Sequence, residues 1–208
     1  LGANAVDSIT TGDWNVGLGD NAGTAVTSGH ANTAIGNQAL EANTTSNYNT
    51  AVGSLSVYRN TTGAENTGVG YLSLSNNTTA HYNTALGAHS LTANTTGADN
   101  VAVGYSSLSA NTTGTLNTAV GKSSMQATTT GSNSTALGRN TLYTNTTGAA
   151  NTAVGRDALE ANTTGSNNVS VGFESLHSNT TASNNTAVGR EALAANTTGA
   201  ENTAFGKG

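Results

Sequence analysis

The sequence predicts an all-β chain, a parallel β-solenoid of twelve 17-residue coils, on three observations. One glycine recurs at a fixed interval of 17 residues, at Gly2, Gly19, Gly36, Gly53, Gly70, Gly87, Gly104 and on to Gly206, with no insertion or deletion. The residues just before it alternate as Thr-Ala-Val, the period of a strand. The composition is that of neither an ordinary globule nor a disordered chain.

The period comes first, because internal repetition sets the architecture before any local reading. Numbered from its first Asn, the unit reads N-T-A-V-G-x-x-A/S-L-x-x-N-T-T-G-x-x, and Asn151 to Asn167 is a clean copy. The first copies, within residues 1–31, are degenerate: Gly23 replaces the Leu and Val26 the second Asn. Residues 32–208 are regular, so 1–208 reads as one array. The chain begins at Leu1 in mid-repeat and ends in mid-repeat, so it reads as a segment of a longer protein. Stacking in one register demands such a strict period, whereas a linker does not. Heptad spacing is absent. Seventeen residues are too few for a helical hairpin repeat, which needs about 30, and Asn-Thr-Thr-Gly is a poor helix former. Seventeen suits one coil, expected here to carry two short strands and two turns.

Position four is large and apolar in every copy: Leu18, Ile35, Val52, Val69, Leu86, Val103, Val120, Leu137, Val154, Val171, Val188 and Phe205. Position nine is apolar from Leu40 through Val57, Leu74, Leu91, Leu108, Met125, Leu142, Leu159, Leu176 and Leu193. These two ladders are the expected core, with small Ala or Ser letting the walls approach. Beyond them the sequence shows no other continuous stripe of large apolar residues. Coils about 4.8 Å apart make a rod of roughly 58 Å. Each coil is expected to bury only about two large side chains, worth ~4 kcal/mol gross. That is thin against the entropy of ordering the coil. Backbone ladders, Asn stacks and partner chains are expected to supply the rest.

Composition agrees. Hydrophobic residues are 35% and charged residues 8% of the 208, below the roughly 45–50% and ~25% of soluble domains. A disordered chain would carry proline and a high net charge; this one has no proline and a net charge of −5. There is no cysteine for a disulfide or thiolate site, and no apolar run nears the ~18 residues of a membrane span. Six basic residues against eleven acidic ones argue against nucleic acid as a partner.

The polar ladders have structural and functional readings. The first Asn recurs at Asn32, Asn49, Asn66, Asn83 and Asn151 among others, with Ser134 as an exception. Stacked amides can bond their equivalents in adjacent coils and the turn backbone. The second Asn heads Asn-Thr-Thr at Asn43, Asn60, Asn77, Asn94, Asn111, Asn145, Asn162, Asn179 and Asn196, with Thr128 breaking the series. Each is an N-x-T glycosylation acceptor in a eukaryotic secretory route, or else another turn ladder. The paired Thr suggest an ice-binding array, but adjacent residues of a strand face opposite ways. The fixed glycine, as at Gly36 to Gly104, marks a positive-φ turn or close backbone contact. It is not a phosphate loop, since G-x-x-x-x-G-K-S/T is absent. The calcium β-roll motif is absent too.

Charges and aromatics such as Tyr58, Tyr71, Tyr105, Tyr143, Arg139, Arg156, Arg190, Asp157 and Glu160 fall in variable positions and are expected to face solvent. A receptor footprint would lie there. Nothing points to an enzyme. His30, His81, His89 and His177 share no metal-ligand spacing, no nucleophile elbow is present, and no catalytic residue, metal or cofactor is expected.

The unit resembles the repeats of phage tail-fibre and tail-spike-like proteins, which often end in a self-cleaving chaperone domain. Its N-T-A-V/I-G core also resembles the shorter head repeat of trimeric autotransporter adhesins, a left-handed parallel β-roll. The likeness spans residues 15–206. It implies a homotrimeric, extracellular fibre or adhesin shaft on a virion or cell surface, without activity and without membrane insertion. The resemblance leaves open a single-chain solenoid, a glycan-coated fibril, or a module binding a cell-surface glycan or receptor.

Overall fold

The computed structural model describes residues 2–208. Each coil contributes one three-residue strand: β1 (Val16–Leu18), β2 (Thr33–Ile35), β3 (Thr50–Val52), β4 (Thr67–Val69), β5 (Thr84–Leu86), β6 (Val101–Val103), β7 (Thr118–Val120), β8 (Thr135–Leu137), β9 (Thr152–Val154), β10 (Val169–Val171), β11 (Thr186–Val188) and β12 (Thr203–Phe205). They form one parallel sheet in chain order. Each residue pairs with the one 17 further on, as Thr50 with Thr67 and Val52 with Val69. The solenoid expected from the period is present, and no helix occurs among the described residues.

The second expected strand is replaced by an arc. Residues at positions seven and nine adopt positive φ, as in Leu55 (57°), Val57 (49°), His89 (58°) and Leu91 (50°). A left-handed conformation at a Leu costs on the order of 1–3 kcal/mol and persists only where the surroundings over-determine it. Here such residues still bond to a neighbouring coil along the array: Leu91 N–H donates to the Ser107 carbonyl at 3.0 Å, and His89 N–H to the Tyr71 carbonyl at 2.9 Å. The arc therefore keeps the inter-coil hydrogen bonds of a sheet without its pleat. Curling the chain through this arc turns the position-nine side chain inward.

The core is narrower than expected. Position nine is fully buried from Leu40 to Leu176, including Met125. Facing it is not position four but position three, the strand's central residue: Ala51, Ala85, Ala102, Ala119, Ala136, Ala153 and Ala187 are all fully buried. The walls are so close that a Cβ on Gly68, the glycine in this ladder, would sit 2.6 Å from Val57 Cγ2. Between them, position eight is Ala, Ser or Thr. Its hydroxyls are satisfied locally, with Ser56 Oγ donating to Gly68 O at 2.9 Å and Ser107 Oγ to Ala119 O at 2.9 Å.

The expectation that position four joins the core is thus corrected. Positions two and four do share a side, as the alternation required, but that side is outward. Val69, Leu86, Val120 and Leu137 are each more than one-third exposed. There is no room inside for a second large residue per coil.

Candidate functional site

Both Asn ladders are interior. At position one, Asn49, Asn66, Asn83 and Asn151 are fully buried and Asn32 nearly so. Each side-chain oxygen accepts from the next coil: Asn66 Oδ1 receives the Asn83 backbone N–H at 3.0 Å and its amide at 3.3 Å. The amide of Asn66 also donates to the Ala80 carbonyl at 2.8 Å, tying the turn to the strand.

At position twelve, Asn43, Asn60, Asn77, Asn94, Asn111, Asn145, Asn162 and Asn179 are fully buried, and Asn196, the last of the series, is half-buried. The amide nitrogen, which would carry a sugar, is engaged. Asn94 Nδ2 donates to Asn77 Oδ1 at 2.9 Å and to Gly97 O at 2.9 Å, and Asn162 Nδ2 repeats the pattern on Asn145 Oδ1 and Gly165 O. A glycan on these nitrogens would occupy the space of the adjacent coil, so glycosylation at the buried positions and this fold exclude each other. The glycine ladder is structural in the same sense. Gly53, at φ +129°, would place a Cβ 2.6 Å from the Gly70 carbonyl oxygen, and Gly36, Gly70, Gly87 and Gly104 are equally close to the coil above.

The paired threonines divide as a strand-like backbone dictates. The first is half-buried in most coils and bonds upward, as Thr95 Oγ1 donates to Thr112 O at 3.0 Å. The second, from Thr45 to Thr198, lines the exterior. Among the described residues no group of three or more His, Cys, Asp or Glu side chains could hold a metal, and no helix is long and apolar enough to cross a membrane.

The surface carries two ladders, one that the sequence suggested for the core and one that residue-by-residue reading missed. The first is the outward sheet face, with Thr at position two (Val at Val16, Val101 and Val169) beside Val, Ile or Leu at position four and Phe205 in the last strand, running from β1 to β12. The second is position six, just past the fixed glycine. It carries Tyr71 and Tyr105, then Lys122, Arg139, Arg156, Phe173, Arg190 and Lys207 in six successive coils. Every cation of the chain except Arg59 lies in this one row. All five row cations are exposed. Tyr71 and Tyr105 flank His89 edge-on, with ring centroids 5.4 and 5.8 Å from it. The Arg156 and Arg190 guanidiniums lie 4.5 and 5.5 Å from the Phe173 ring centre. Superposing the copies by their period would have revealed the second row.

The fold and these surfaces define a class, the β-solenoid repeat rod with one strand per coil. No family model, curated protein or solved structure matches the chain.

Proposed function

We propose that this chain is a structural rod, a stretch of an extracellular fibre or adhesin shaft of the phage tail-fibre or cell-surface kind. Three copies pack side by side through the outward Thr-x-Val face. The observation that carries this reading is the continuous row of half-exposed Val, Ile and Leu on the flat face of the sheet.

A soluble monomer rarely leaves such a stripe uncovered. The face measures about 58 Å by ~10 Å per chain from strand and coil spacings. With its flanking side chains it approaches the ~800 Å² per partner of a specific interface. A second copy is the occupant that fits best. An identical neighbour in register repeats the 17-residue spacing along the whole face, which a globular partner would match over only a few coils. Three narrow strips meeting at a common axis bury each face against two others and supply the large-side-chain core that a single coil lacks. The rest of the rod suits a spacer: every coil is bonded to the next through backbone and Asn ladders, which resists bending.

The test is the native mass of the intact chain by light scattering, with Leu86→Lys/Val120→Lys as the disrupted variant. The reading expects three times 20.5 kDa for the parent. It expects a single-chain mass with unchanged circular dichroism for the variant. A parent that stays monomeric at tens of micromolar, or a variant with the parent's mass, overturns the assembly.

A further inference from the structure

We infer that the position-six row is a binding strip for an acidic polysaccharide. Lys122, Arg139, Arg156 and Arg190 hold its carboxylates, and Tyr105 stacks on a sugar ring. The inference rests on the fold and not on the state of assembly, so its failure would leave the rod reading intact.

The first argument is placement. The chain is acidic overall, yet five of its six cations share one position of the unit, in coils within a rise of about 24 Å. A copied unit would repeat a cation along the whole array. Here the row changes midway, from Tyr71 and Tyr105 to Lys122 and onward. Stacking cations one coil apart is repulsive, and these side chains are exposed rather than part of the buried core.

The second argument is that these charges are available. Among the described residues Lys122 and Arg139 form no ion pair. Their neighbours at position seven, Ser123 and Asn140, are neutral. Arg156 pairs with Asp157 at 3.0 Å and approaches Glu174 at 3.8 Å, and Arg190 pairs with Glu191 at 2.7 Å. The guanidiniums in these pairs are half-exposed or more, so each keeps an open side for an incoming anion, and pairs near the surface are individually weak. Phe173 lies between the two guanidiniums and holds them in place along the row.

The third argument concerns the partner. A second copy in register does not satisfy the row. The opposite flank of the strand, position seventeen, is Asn133, Ala150, Asn167 and Asn184 at these levels, and only Glu201 is acidic. A straight row with one cation per coil calls for an extended polymer. A pyranose with its linking oxygen is about as long as one coil rise, so successive sugars stay in step with successive coils. The carboxylates of Asp157, Glu174 and Glu191 interleave with the cations and can accept from sugar hydroxyls, which a polyuronate presents on every ring and a deoxynucleotide strand lacks. The exposed Tyr105 offers an aromatic surface to the sugar's C–H face.

The experiment titrates the full chain with oligogalacturonate long enough to span six coils, at low and at physiological salt, with neutral dextran and oligothymidylate as comparison probes. Binding should weaken with salt and should fall on the order of tenfold or more in Lys122→Glu/Arg139→Glu. It should be unchanged in Arg59→Glu, an exposed cation off the row. Tyr105→Ala should weaken it without altering the salt dependence. Circular dichroism confirms that each variant keeps the fold. Absence of oligogalacturonate binding at low salt would overturn the inference, as would equal affinity in the double variant and the parent. Tighter binding of oligothymidylate than of oligogalacturonate would overturn it in favour of a nucleic-acid strip.

Discussion

Thr128 interrupts the inner amide ladder, and the interruption leaves a defect that can be repaired. In the intact part of the ladder each oxygen is met by the next coil: Asn77 Oδ1 accepts from Asn94 at 2.9 Å, and Asn94 Oδ1 from Asn111 at 2.8 Å. Asn111 Oδ1 should then be met from position 128, but Thr offers no amide there, and this buried oxygen has no partner. On the far side, Asn145 Nδ2 reaches the Thr128 hydroxyl at a long 3.3 Å. Thr128→Asn restores a donor to Asn111 Oδ1 and a better-placed acceptor to Asn145, in a site whose neighbours above and below already hold asparagine. An unsatisfied buried acceptor costs about 1–3 kcal/mol, so the variant should be more stable by about that much. For a chain of this length each kcal/mol raises the melting midpoint by about 2–4 °C. The comparison is made at equal protein concentration, because the proposed assembly would make the midpoint concentration-dependent. A midpoint unchanged or lowered in Thr128→Asn would refute the claim that the amide ladder stabilises the coil.

Other perturbations test the remaining parts. Asn94→Ala orphans both Asn77 Oδ1 and the Gly97 carbonyl and should cost about 2–6 kcal/mol, measured by urea unfolding. Gly121→Ala, at φ +132° with a Cβ 2.4 Å from the Gly138 carbonyl oxygen, should disrupt stacking far more than Gly206→Ala, where nothing lies within 4 Å; thermal midpoints compare them. Leu108→Ala empties a fully buried core site and should cost about 2–5 kcal/mol, with assembly retained in the fraction that folds. Material secreted from a eukaryotic host and recovered folded should be bare at Asn94 by mass spectrometry, because its amide nitrogen is buried and bonded twice.

The period was legible because stacking imposes it. Gly53, Leu91 and Asn94 each do something that only their own copies above and below make possible, so their spacing admits no slip. The inner Leu ladder was legible for the same reason. The face of position four was not. Alternation says that Thr118 and Val120 share a side and that Ala119 has the other, but nothing in the three residues says which side is in. Size suggested Val120. Coil width decided for Ala119, because the arc at Ser123 and Met125 brings the far wall too close for two large residues. That arc was illegible in its turn: positive φ at Leu, His and Glu runs against local preference and is imposed by the inter-coil bonds. The row of cations was plain in the sequence once Lys122, Arg139, Arg156 and Arg190 are placed one above another, but residue by residue they look like scattered surface charge.

The central claim is that the outward Thr-x-Val face is where copies meet. The chain has no cysteine, so a single one can be introduced without background. Under mild oxidation Val120→Cys, on that face, should yield a disulfide-linked dimer on a non-reducing gel, because in-register copies bring equivalent residues together at the axis. Thr113→Cys, exposed on the opposite Thr row, should remain monomeric. A monomer with Val120→Cys, or equal crosslinking from both positions, would contradict the account.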